Sequence, residues 1–262
     1  MNILIWTDLE GVSGIVDFDK HEPLTEKDKY QRMLMTGELN AAIRACFDAG
    51  AQKVKVAEGH DATDFQALDT RALFIPARYP AIPQLQDWEG YDFMIMIGCH
   101  SMAGTPDGVL SHTGNRNVVY RKINGQTFGE IGTAIMLAGE FGIKAIMVSG
   151  DVAACREAQD LNPEIIVAPV KKGFDMYHAE CLHPDKACDL IYERVMEAFS
   201  KKTAFEIIKP DSPVVFEEKY KTTEPLDGKI LNENIEIVDA YTVRYIGKSL
   251  TEAYGRRCGF EG

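Results

Sequence analysis

Residues 2–8 read Asn2-Ile3-Leu4-Ile5-Trp6-Thr7-Asp8, an apolar run that stops abruptly at an acid, and Glu10 follows before the first glycine, Gly11. A short continuous apolar run of this kind is the pattern of a strand covered on both faces, as in a parallel sheet. Beyond the loop, Thr25-Glu26-Lys27-Asp28 reads as a helix start. Apolar residues at helical spacing (Leu34, Leu39, Ala42, Ile43, Cys46, Phe47) then continue until Gly50 stops them. Similar strand-like runs recur at 54–57, 93–97 and 145–149, and the pattern predicts helices over 129–140, 152–159 and 184–201. Strands alternating with helices predict an α/β fold, a mainly parallel sheet sandwiched by helices.

Two segments break the alternation. Residues 118–127, with Asn124-Gly125 at the turn, read as a hairpin inserted before the next helix. From about residue 205 the pattern becomes strand-like at 213–219 and 233–246, with a short helix near 249–255, which predicts a small C-terminal α+β lobe. The expected division is a main α/β domain over 1–204 and a small α+β lobe over 205–262 packed on the main body.

Composition narrows the function classes. The 262 residues are long enough to bury a sizeable core without cross-links, and 45% hydrophobic with 26% charged residues is ordinary for a globular fold. No apolar run approaches the roughly 20 residues of a membrane span, and no secretory leader is recognisable, so a cytoplasmic protein with no membrane partner is expected. The six scattered cysteines form no CxxC pair and read as thiols. A formal charge of −12 without a Lys/Arg cluster argues against a nucleic-acid partner. Gly11-Val12-Ser13-Gly14 lacks the lysine and the further glycine of nucleotide-binding loops.

In an open parallel sheet ligands bind beyond the carboxyl ends of the strands, so the residues just past each apolar run carry the information. They are Asp8 and Glu10, then Glu58-Gly59-His60-Asp61, then Gly98-Cys99-His100-Ser101, then Gly150-Asp151. In extended chain, residues two apart face the same side, so Asp8 and Glu10 can meet one cation. Two such acids at a buried strand end would raise each other's pKa, a cost that a divalent metal removes. His60 and His100 add nitrogen donors, and mixed Asp/Glu/His ligation suits Zn, Mn, Fe or Co better than Ca or Mg. Each residue alone has a plainer explanation. Asp151 reads first as a helix N-cap, Glu130 as an acid favoured by a helix dipole, and His112 as a loop histidine in a structural hydrogen bond. Functionally, Glu130 could return over the site as a ligand or base, and imidazole chemistry suits His112 to general acid/base work or oxyanion orientation. His21, His178 and His183 lack a metal-site spacing.

Taken together, TDLEGVSG, the strand-terminal EGH at 58–60, GCHSMAGTPDGVLSH at 98–112, NGQTFGEIG at 124–132 and VSGD at 148–151 resemble the D-aminopeptidase family of zinc peptidases, the M55 peptidases. The resemblance extends through VKKGF and ECLHPDKA to about residue 190. It implies a binuclear zinc centre, two ions per subunit, held by Asp8, Glu10, His60, His100 and Glu130. It further implies His112 as the catalytic histidine and assembly into a closed homo-oligomer. The expected activity is metal-dependent release of an N-terminal amino acid, D-amino acids included, from a short peptide or small amide. Asp8 is the most economical bridge between two metals. Met176-Tyr177-His178 departs from the family's pattern and motivates a second reading, a binuclear hydrolase of a non-peptide amide or ester. A third is a non-catalytic metal-binding assembly protein.

Overall fold

The computed structural model describes residues 1–18, 24–77, 86–228 and 232–260; His21 lies outside the described residues. Six strands run parallel: β1 (Asn2–Thr7), β2 (Lys53–Glu58), β3 (Leu73–Ile75), β4 (Phe93–Cys99), β7 (Lys144–Asp151) and β8 (Ile166–Asp175). With β9 (His178–Cys181) antiparallel at one edge, the order is β3-β2-β1-β4-β7-β8-β9. A second, antiparallel sheet has the order β11-β12-β10-β5-β6, from β5 (Val118–Ile123), β6 (Gln126–Thr127), β10 (Val214–Tyr220), β11 (Ile235–Asp239) and β12 (Thr242–Gly247). The helices are α1 (Glu26–Asp48), α2 (Glu130–Glu140), α3 (Val152–Leu161), α4 (Pro184–Ser200) and α5 (Leu250–Arg257). None of the described helices is long and apolar enough to cross a membrane.

The opening strand is buried on both faces, as its apolar run requires. Ile3 and Ile5 enter one core with Leu39 and Ile43 of α1 and Ile191 and Val195 of α4. Leu4 enters a second core with Met94, Met96, Ile131 and Ile135 of α2, and Phe216 and Tyr245 of the antiparallel sheet. Alternate side chains of one strand therefore hold both layers. Helix α1 begins where the sequence predicts: Thr25 is the N-cap, and Thr25 and Asp28 form a reciprocal capping box.

The hairpin 118–127 forms with Asn124 and Gly125 at its turn, both at positive φ. It is more than an insertion, because β5 pairs antiparallel with β10, so the second sheet draws strands from both sides of residue 204. The β8 strand is the main element that the sequence reading lacks; Pro169 and Lys171-Lys172 interrupt its apolar pattern.

The chain leaves β1 through α1 to β2 on one side, and later places β4 on the other side of β1. The gap between the ends of β1 and β4 is thus the topological switch point, where an open α/β sheet forms its ligand crevice.

Candidate metal centre

Asp8 and Glu10 follow β1, His60 follows β2 and His100 follows β4, while Glu130 is the first residue of α2. Their side chains meet at the switch point. His60 Nδ1 lies 3.3 Å from Asp8 Oδ1 and 3.2 Å from Glu10 Oε2. His100 Nε2 lies 3.2 Å from Asp8 Oδ2 and 3.3 Å from Glu130 Oε1. Asp8 thus faces one imidazole with each oxygen. His112 Nε2 is 3.7 Å from Glu130 Oε1, and its ring stacks on His100 at 4.0 Å with the planes 11° apart. All six residues singled out in the sequence therefore share one cluster. Donor atoms of Asp8, Glu10 and His100 fall within 4.8 Å of one another, as do those of His100, His112 and Glu130.

Backbone packing explains the convergence. The loop after β1 runs directly against the end of β4, with Asp8 N–H donating to Ile97 O (2.8 Å) and Gly11 N–H to Gly98 O (2.7 Å). A Cβ on Gly11 would overlap the Cys99 carbonyl, and one on Gly98, where φ is +75°, would overlap the Asp8 carbonyl. Only glycine lets the two strand exits approach so closely. Buried Lys171 of β8 gathers the same loop by donating to the carbonyls of Glu10, Val12 (3.1 Å) and Ile15 (2.5 Å). Burial lowers its pKa to about 8 against the pull of Asp151. Glu38 of α1 accepts from Ser13 N–H at 2.9 Å.

The tautomers of two histidines follow from their partners. His100 Nδ1 is 2.9 Å from Ser101 O and His112 Nδ1 is 2.8 Å from Leu110 O. A carbonyl can only accept, so each Nδ1 carries a proton and Nε2 is the atom that each ring presents to the cluster.

The electrostatics are those of a cation site. Burial works to raise the Asp8 pKa, but His100 and His60 outweigh it and hold the carboxyl well below its usual range. Against burial, Glu10 and Asp8 push His60 up to about 10. Burial also opposes the rise of His100, which Asp8 and Glu130 drive well above the ordinary imidazole value. Glu130 falls to about 2, with burial outweighed by His100. Protons on the imidazoles are here the cations nearest the carboxylates, since no lysine or arginine side chain pairs with them among the described residues. Two donor atoms, Glu10 Oε2 and His100 Nε2, are buried without a hydrogen-bond partner. Buried polar groups are rarely left so, and oxygen and imidazole donors together fit a zinc-like ion.

Other acids in the motifs are structural. Asp151 caps α3 through Ala154 N–H (2.7 Å) and also accepts from Val109 N–H (2.7 Å), tying the His112 loop to the sheet. Glu58 receives Ala62 N–H (2.8 Å) and Thr63 N–H (2.6 Å) and so shapes the loop carrying His60. His183 N-caps α4, and His178 packs on Phe174, neither of them in the cluster. Sequence reasoning missed Glu157, which accepts from Met102 N–H at 2.7 Å and is lifted by burial to about 7. It also missed the wall over His112: Phe18 meets that ring edge-on at 5.4 Å, with Tyr177 6.4 Å beyond. A lysine inside the apolar run of β8 was the one legible signal for Lys171; Glu157 and Phe18 carried none.

The D-aminopeptidase family model, peptidase M55, matches residues 1–257. A D-aminopeptidase of Bacillus subtilis (strain 168) is 27% identical over 259 residues, 97% of this chain and 94% of that protein. Among solved structures, the zinc-dependent D-aminopeptidase DppA from Bacillus subtilis, described as a self-compartmentalizing protease, superposes with a TM-score of 0.90. It is 27% identical, with 97% of this chain and 94% of that one covered.

Proposed function

The chain belongs to the D-aminopeptidase family, and from that membership we propose that it is a zinc-dependent aminopeptidase that releases an N-terminal D-amino acid from short peptides. The observation that carries the two-ion form is the Asp8 carboxylate, which turns one oxygen to His60 and the other to His100. Asp8, Glu10 and His60 would hold one ion; Asp8, His100 and Glu130 the other. Bound there, the ions would supply Lewis acidity for the scissile carbonyl and lower the pKa of water.

The chain's own residues do the rest. His112, fixed by Leu110 O, presents Nε2 beside Glu130 and can take or return a proton or steady a developing oxyanion. Glu130 is held by Gly114 N–H at 2.7 Å, so the loop bearing His112 also orients this ligand. Phe18 covers one edge of the His112 ring, and Tyr177 packs on Phe18 in turn. Every proposed site residue lies within 1–204, and in the proposed division residues 205–262 support that unit through the shared sheet. Six unpaired thiols support a reducing, cytoplasmic setting. A self-enclosing homo-oligomer, named for the Bacillus protein, is part of the same proposal.

The test is hydrolysis of D-Ala-D-Ala and D-Ala amide by protein loaded with zinc, before and after chelation, with metal counted per chain. Turnover that disappears with the metal is expected, with two ions bound. His112→Ala should keep both ions and lose turnover. Metal-replete protein that cleaves no amide would overturn the peptidase reading, and one ion per chain would overturn the binuclear centre.

A further inference from the structure

The whole chain carries a charge of −12. A short peptide brings its own carboxylate to a chain of that net charge, which disfavours its approach. One cation stands where it would offset the repulsion. Arg116 lies four residues beyond His112 on the same loop, exposed, with no acidic partner among the described residues. Its guanidinium lies over the Phe18 ring at 5.0 Å, and the same ring meets His112 edge-on at 5.4 Å. Phe18 therefore contacts both the histidine and the arginine.

The backbone here is braced. Asn115 N–H donates to Thr113 O at 2.7 Å, Asn117 N–H to Asn115 Oδ1 at 2.8 Å and Val118 N–H to Asn115 O at 3.2 Å. Arg116 is thus a central residue of a tight turn that leads straight into β5. Gly114, two residues before it, is tied to Glu130. Those two ring steps bound the separation of His112 and Arg116 at roughly 10 Å, the reach of about three extended residues.

We propose that Arg116 binds the C-terminal carboxylate of the substrate and thereby selects peptides that end one or two residues past the scissile bond. This rests on the aminopeptidase reading of the same site. Arginine suits the task because its planar fork accepts a carboxylate through two N–H donors, and stacking on Phe18 limits the freedom it loses on binding. Its role is specificity, separate from the chemistry at His112.

A matched pair of substrates, D-Ala-D-Ala and its C-terminal amide, isolates the carboxylate while keeping the scissile bond the same. Arg116→Gln should raise KM for D-Ala-D-Ala about 10- to 100-fold, the usual worth of a hydrogen bond to a charged group, with kcat within about twofold. The amide should be cleaved as well by the variant as by the natural chain, and Arg116→Lys should recover only part of the loss. Rising ionic strength should weaken D-Ala-D-Ala and leave the amide unaffected, because an exposed charge is screened. Equal losses on both substrates, or no loss on either, would overturn the proposal. Calorimetric binding of D-Ala-D-Ala needs no turnover and separates the two readings. Arg116-dependent binding without cleavage would remove the peptidase reading and keep this one, whereas binding indifferent to Arg116→Gln would remove this one alone. Neither binding nor cleavage would overturn both.

Discussion

Two regions of this protein gather acidic side chains and treat them in opposite ways. In the antiparallel sheet, Glu218 is fully buried, and both of its oxygens are occupied. Oε1 accepts from Arg121 Nε (3.0 Å) and Nη2 (2.8 Å), and Oε2 accepts from Tyr220 Oη (2.5 Å) and Arg257 Nε (3.0 Å). At the switch point Asp8, Glu10 and Glu130 crowd together with no such guanidinium, and Glu10 Oε2 and His100 Nε2 are left over. A closed network of this kind is structural; an open donor set suits a bound cation. The useful signal is therefore the unsatisfied donor set, since buried acid as such is found in both places.

Substitution should separate the two regions most sharply. Asp8→Asn should lower kcat/KM roughly 10³- to 10⁴-fold, the several kcal/mol that a metal's Lewis acidity supplies. Without metal it should lower the urea midpoint only slightly, because His60 and His100 lose Asp8 but keep Glu10 and Glu130 beside them. A large loss of stability in the metal-free Asp8→Asn protein would erase the contrast. Arg121→Met should do the reverse and cost about 3 kcal/mol in urea unfolding. That is the low end for breaking a buried pair, since Arg257 still serves Glu218.

Acid titration gives the next effect. Burial works against it, but Arg121 and Arg257 hold Glu218 down to about 2, below its ordinary 4.5. A carboxyl with a depressed folded pKa favours the fold fully above pH 4.5 and loses that contribution as pH falls through 2, on the order of 3 kcal/mol. Replacing Glu218 with Gln should flatten the stability profile in that window; an unchanged profile would show that other groups carry the acid sensitivity. The smallest effect belongs to the start of α1. Thr25→Ala should cost about 1 kcal/mol through loss of the α1 capping box, with kcat unchanged.

Most of the parallel sheet was legible because its strands are apolar on both faces and stop at polar residues. The cluster was legible for the same reason: Asp8, Glu10, His60 and His100 stand where apolar runs end. Glu130 and His112 carried plainer readings of their own, and only the ordered motifs joined them to the set. The second sheet was legible as segments and illegible as a sheet, since nothing local announces that Lys122 will face Glu217 across almost a hundred residues. The β8 strand was hidden by Lys171, whose burial makes sense only with the three carbonyls it gathers. Glu157, Phe18 and Arg116 act through contacts made by the folded loops, and single-residue patterns do not encode those.

The glycine contact between the two strand exits bears on how such centres can be searched for or transplanted. Donor residues alone are a weak template, because acids and histidines past strand ends are common. Gly11 and Gly98 add a distance constraint: they bring the Asp8 backbone to within a hydrogen bond of β4. A chain carrying all the donors but a side chain at either glycine would hold the two strand exits apart and should be counted a false match. A designer grafting the cluster onto another parallel sheet should fix those two backbone positions first and choose the ligands afterwards.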